Sequence, residues 1–323
     1  MSISNAHPFS QPAQGFKVSP YMQERVVLVG QMEVYSQASQ SLESLLRVPV
    51  STSQVYRIAD TYGKLIAEGL LEPPGAGPVA ANGAVFAEAD GSMVFTDDGW
   101  QEAKVGRVFR SGDIKPQGKE RNYIEKSQYA AHLGHCADFA EKFLPLVEPY
   151  RGLCGRLVFL GDGAKWFQNW VELNFPKATL ILDFFHAGEH LAAVARLLVL
   201  DVNERKRWFE AQKALLLDSR LPSVLGAIRK LKPTTAEQVD EKQKLIRYYL
   251  QNEHRMDYKR YKEQGWHIGS GAIEASHRTV VQDRMKKSGQ RWSDEGAQNM
   301  LNLRVCSRSD RWHLVVDKIK MAA

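Results

Sequence analysis

The sequence predicts an α/β protein, a mixed sheet packed by helices and preceded by an all-helical segment. Three observations carry this. Between residues 84 and 186, apolar strand-like runs alternate with helical ones. From 187 to about 265 the pattern is purely helical, and residues 21–71 are helical with no strand-like run.

Residues 1–20, rich in Ser, Pro, Gln and Gly, read as a disordered arm. YMQERVVLVGQMEVY and SQASQSLESLLRV give two helices, and Pro49 interrupts. Ser51 then caps a third helix, in which Val55, Ile58, Ala59 and Tyr62 fall on one face. Short helices joined by a tight turn fit a helix-turn-helix, and they fit an ordinary helical hairpin equally well. Residues 21–71 are read as a helix-turn-helix-like segment, with the plain hairpin left open, and EPPGAGPVAANG at 72–83 as a linker.

The sheet is expected over 84–186. AVFAEADGSMVF and WQEAKVGRVF are the first two strands, with a third near NYIEKSQYAA. A helix over 133–150 comes next, then a buried strand ending at Gly161, a helix in AKWFQNWVELNF and a strand in ATLILDFFH. Residues 187–265 form a helical insertion broken at LKPTT, and 266–323 form basic C-terminal helices.

The chain has 323 residues, a length that suits about two domains. With 44% hydrophobic and 25% charged residues, it matches a soluble globular protein. No apolar run reaches the ~18 residues of a membrane helix. The first residues lack the basic and apolar regions of a secretory signal. No membrane partner and a cytoplasmic location are expected. Cys136, Cys154 and Cys306 form no CxxC pair, which argues against a disulfide framework or a cysteine zinc site. A net charge of +6 suits an anionic partner such as nucleic acid without demanding one.

Three acids sit in unusual settings. Asp90 ends an apolar strand and precedes Gly91. Asp162 also ends one, between Gly161 and Gly163. Ligands of open α/β sheets collect at strand ends, where glycine lets the backbone turn tightly. Glu274, in GSGAIEASHRTVV, projects from the first turns of a helix opened by a Gly-rich turn. Oxygen ligands of this kind suit magnesium or manganese. A pair of such ions stabilises the attacking and leaving oxygens of a phosphodiester. Taken singly, each Asp-Gly is equally an ordinary turn signal. Asp97, Asp98 and Glu102 read as turn and strand-surface acids.

The order ADGSMVF, WQEAKVGRVF, FLGDGAKWF, FPKATLILDFFHAGEHL and GSGAIEASHRTVVQDRMKKSGQRWSDEGAQNMLNLR resembles the DDE transposases of bacterial insertion sequences. It is most similar to the ISKra-type group, related to the Mutator-like transposases, and the likeness covers most of residues 20–312. The resemblance implies an RNase H-like fold with a helical insertion before the final glutamate. It implies cutting of transposon ends and their joining to target DNA, with Asp90, Asp162 and Glu274 as catalytic metal ligands for about two Mg2+ or Mn2+ ions. It also implies a homodimer or higher assembly, at the nucleoid. Asp183 and His186 match a supporting Asp, two residues, His motif. Asp183 remains an alternative second ligand, and His186 an orienting or phosphate-contacting group or a buried histidine bonded to backbone.

Eight basic residues stand against four acids over 278–311, with Trp292 and Trp312 interleaved. Basic side chains release counterions from DNA. Arg278, Arg284, Lys286, Lys287 and Arg291 are the expected contacts, while the tryptophans read better as core. By analogy, Gln54 and Arg57, with Ser53, would read transposon-end DNA. Two other functions fit the sequence: an inactive or truncated transposase-derived DNA-binding protein, and a metal-dependent hydrolase of small phosphorylated molecules.

Overall fold

The computed structural model describes residues 13–117, 121–269 and 271–321. Of the arm expected at 1–20, residues 1–12 lie outside the described residues. Helices α1 (Pro20–Gly30), α2 (Tyr35–Leu46), α3 (Thr52–Leu65) and α4 (Ala67–Leu71) come first. Next come β1 (Val85–Thr96), β2 (Gly99–Arg110), β3 (Ile114–Gln117), β4 (Arg121–Ile124), β5 (Gln128–Leu133) and α5 (Cys136–Val147). Strand β6 (Leu157–Gly161), α6 (Lys165–Asn174) and β7 (Thr179–Leu182) complete the α/β part. The helical run is α7 (Phe184–Leu198), α8 (Val202–Leu217), α9 (Leu221–Lys230), α10 (Ala236–Asn252) and α11 (Tyr258–Glu263). The chain closes with α12 (Gly271–Ser276), a π-helical stretch (His277–Gln282), α13 (Asp283–Met285), α14 (Asp294–Arg308) and α15 (His313–Met321).

Five strands form one mixed sheet in the order β5-β2-β1-β6-β7. Strands β1, β6 and β7 pair in parallel, and β2 and β5 antiparallel. The expected third strand divides in two. Strand β4 pairs with β3 in a separate two-stranded sheet, and only β5 joins the main one. Helix starts obey local sequence. Ser19 with Pro20, Ser51, Asp201, Thr235 and Ser293 each accept a backbone N–H at a helix start.

The chain divides into two compact units. The first comprises Met1–Val79, Ala89–Gly152 and Ile273–Ala323. Here the N-terminal helices share a core with the C-terminal ones: Val26, Val27, Leu42, Ile58 and Tyr62 pack with Leu303, Cys306, Val315 and Ile319. Each fully buried aliphatic side chain contributes about 1.5–3 kcal/mol relative to exposure. Gly63 lets α3 lie against α14, because a Cβ there would overlap the Asn299 carbonyl. Asn302 Nδ2 donates to the Gly63 carbonyl at 3.0 Å across the same contact. A second cluster joins β1, β2 and β5 to the C-terminal helices through Val94, Val105, Ala131, Val280, Trp292 and Leu301.

The second unit comprises Ala80–Glu88 and Leu153–Ala272. Its strands register Glu88 with Leu160 and Gly161 with Leu182. Phe159, Phe167, Trp170 and Phe175 interlock as an aromatic cluster behind β6. The expected strand ATLILDFFH ends earlier than its sequence suggests. Asp183 closes β7 and caps α7, because its carboxylate is placed to accept the His186 backbone N–H, and so DFFH turns into helix. No helix among the described residues is long and apolar enough to cross a membrane.

Candidate functional site

In the first unit, β1 carries Asp90. The strand does not end there as the sequence suggests but runs on through Gly91 to Thr96. What ends at Ala89 is the buried stretch, and from Asp90 the strand is partly exposed. The Gly91 N–H donates to Asp90 Oδ1 at 2.7 Å, and the missing Cβ leaves room for the Glu102 carboxylate on β2. Glu102 in turn pairs with buried Lys104 at 2.6 Å. It is therefore part of an ion pair, while Asp97 pairs with Arg291 at 2.6 Å.

Asp90 has a partner that the sequence pattern did not indicate. His277 Nε2 lies 3.4 Å from Asp90 Oδ2, with the imidazole buried and the Asp90 side chain 40% exposed. Glu274 is exposed on α12, and His277 comes three residues later. Residues three apart are neighbours on a helix surface. Glu274 and the histidine that meets Asp90 thus stand one turn apart. The signal for His277 was its spacing from Glu274, which becomes informative only once the helix is known.

The expected DNA-contacting residues separate into two sets. Lys286, Lys287, Arg278 and Arg291 are exposed, and Lys286 Nζ donates to Ser92 Oγ at 3.2 Å, two residues beyond Asp90. On α3, Arg57 is exposed and Gln54 half-buried. Arg284 is different and corrects its expected role. It is 1% exposed, with its guanidinium 4.5 Å from the Tyr35 ring centroid and 5.0 Å from that of Trp292. Its Nε donates to the Gly30 carbonyl at 3.0 Å. Burial pushes its pKa down, opposed by Tyr35. Enclosed by two rings, Arg284 braces the core instead of meeting solvent. Trp292 is likewise core, and Trp312 packs against the helical cluster.

In the second unit, Asp162 and Asp183 directly succeed Gly161 and Leu182, which are partners across the parallel pair β6 and β7. The Asp183 N–H donates to the Gly161 carbonyl at 2.9 Å. The two carboxylates therefore belong to adjacent strand ends, with opposite exposure. Asp162 is exposed, and its Oδ1 accepts the Ala164 N–H at 2.9 Å. Gly163 supplies the left-handed turn, φ 97°, that points the chain away from the strand. Tyr248 on α10 donates its hydroxyl to the Asp162 carbonyl at 2.9 Å, and burial and then the Asp162 charge push the phenol pKa up. Asp183 is 0% exposed, and its Oδ1 accepts the His186 N–H at 2.7 Å. His186 is partly exposed in the first turn of α7, not on a strand.

A further buried acid was not singled out by its motif. Glu88 is fully enclosed in β1, two residues before Asp90 and on the same strand face. An acid inside the apolar run AVFAEAD was its signal.

Carboxylate oxygens are the donor set that a hard cation takes. Among the described residues, however, no group of three or more His, Cys, Asp or Glu side chains is arranged to hold a metal ion.

No curated protein matches this sequence. A family model does match, over residues 31–314, and its description is Uncharacterised protein family (UPF0236). That span reaches into both units and includes every candidate site residue, and the chain belongs to family UPF0236.

Proposed function

We propose that this protein is a DNA transposase that binds transposon ends, cuts them and transfers the strands, with an RNase H-like core. Asp90, Asp162 and Glu274 are the carboxylates that carry the reaction, and Mg2+ or Mn2+ is the required ion. The observation that carries this reading is the placement and accessibility of the three acids. They occupy a strand, a parallel-strand end and a helix that comes after the long helical run, in the order that the resemblance implies. All three reach solvent, whereas the competitor Asp183 is buried and used as a helix cap. Lys286 and Lys287, exposed in the loop after α13, supply the positive charge that a phosphate backbone needs. Target joining by two ends makes a homodimer or larger assembly, at the nucleoid, the expected working form.

The test is cleavage of labelled duplexes carrying the DNA that flanks the gene, with and without Mg2+. The wild type is expected to nick them in a metal-dependent way. Asp90→Ala and Glu274→Ala are expected to abolish nicking while retaining binding. Absence of any metal-dependent cutting by the wild type would reject the enzymatic reading.

One observation favours a second reading. A carboxylate 3.4 Å from an imidazole nitrogen, as Asp90 is from His277, is less available to a metal. That suits a transposase-derived protein that occupies DNA ends without cutting. It predicts salt-sensitive end binding with no metal-dependent nicking.

A further inference from the structure

Helix α7 opens with Phe184, Phe185, His186, Ala187, Gly188, Glu189, His190. The two histidines are four residues apart, so they lie on one helix face, the spacing at which two imidazoles on a helix share a zinc ion. Their side chains use that spacing. His186 Nε2 and His190 Nε2 stand 3.2 Å apart, with the rings perpendicular. Two nitrogens bound to one ion at 2.0–2.1 Å and separated by this distance subtend about 100° at the ion, close to the tetrahedral angle.

The surroundings suit a cation. Glu189 Oε2 is 3.6 Å from His186 Nδ1, on the far side of the ring from Nε2. At that distance, longer than a hydrogen bond, the carboxylate's negative charge favours a cation on the imidazole. The His190 ring packs on Tyr248, centroid to centroid 4.6 Å, and Tyr248 is itself fixed by its hydrogen bond to the Asp162 carbonyl. Burial and then His186 hold the His190 pKa below its ordinary value, against the opposing carboxylates of Glu189, Asp162 and Glu241. Both histidines reach solvent, so an ion has a path in and water can complete its coordination.

We propose that His186 and His190 form a two-imidazole site for a divalent transition-metal ion of the zinc or copper class. The chemistry selects against magnesium, which takes oxygen ligands and keeps its waters. The site is separate in kind from the carboxylates of the proposed nuclease. It rests on its own geometry and not on that reading.

The test uses the full chain and metal alone, and it reads binding instead of strand cleavage. Cu2+ is titrated and followed by electron paramagnetic resonance, and Zn2+ by calorimetry, each in excess Mg2+. The expected result is one ion per chain bound by two imidazole nitrogens, undisturbed by Mg2+. Replacing His190 by Gln should leave one nitrogen and weaken Zn2+ at least tenfold, and Glu189→Gln should weaken it about tenfold. Circular dichroism checks that the variants are folded. The proposal is overturned if the wild-type signal shows a single nitrogen. It is overturned equally if the double variant His186→Gln, His190→Gln binds Zn2+ as tightly as the wild type, or if the wild type binds none.

Discussion

Asp162 and Asp183 end neighbouring parallel strands, and each succeeds an apolar run, yet their surroundings are opposite. Asp162 stands in solvent on a glycine turn, held by the backbone around it. Asp183 is enclosed and satisfies the first turn of α7. A carboxylate spent on a buried helix start is a structural group, while one left in water at a strand end can meet a ligand. Two similar sequence signals thus divide into a fold-determining acid and a candidate reactive one. The difference lies in the next residues of the chain: Gly163 after Asp162, and a helix-forming stretch after Asp183.

The contrast can be broken by substitution. Asp183→Ala removes a buried cap and should cost about 1–2 kcal/mol in thermal or chemical unfolding, with Asp183→Asn largely rescuing it. The same change at exposed Asp162 should stay within about 0.5 kcal/mol. Equal losses at both positions would erase the distinction. Gly163→Ala forces a side chain into left-handed backbone against Leu182 and Tyr248, and a loss of about 1–2 kcal/mol is expected by unfolding. Tyr248→Phe deletes one hydrogen bond to the Asp162 carbonyl and should cost about 1 kcal/mol.

The first unit offers an acid-range control. Burial raises the Asp113 pKa, but hydrogen bonds from Arg110 outweigh it and hold the carboxyl below its ordinary value. The folded state then binds fewer protons than the unfolded one in acid. This contribution is complete above the ordinary Asp pKa and is lost as pH falls through the depressed folded value. Asp113→Asn should flatten the acid limb of the stability–pH curve, which urea unfolding between about pH 2 and pH 6 would show.

Local pattern made much of the fold legible. The alternation of strands and helices, the Ser51 cap and the face of Val55, Ile58, Ala59 and Tyr62 all come from spacing along the chain. The burial of Arg284 did not, because its enclosing rings include Tyr35, from a distant segment. Nor did the shared core of α1–α3 with α14 and α15, which depends on contacts between opposite ends of the chain. The strand end at Leu182 was hidden because Phe184 and Phe185 read as strand residues until Asp183 is seen to cap. His277 escaped for the same reason as Arg284: its meaning lies in Asp90, far away in sequence.

The most direct measurement is metal-dependent nicking of end-flanking DNA by the wild type and by Asp162→Ala, with binding followed in parallel. Nicking by the wild type, and its loss in Asp162→Ala with binding intact, is the expected result. Full nicking by Asp162→Ala would contradict the assignment of the second carboxylate.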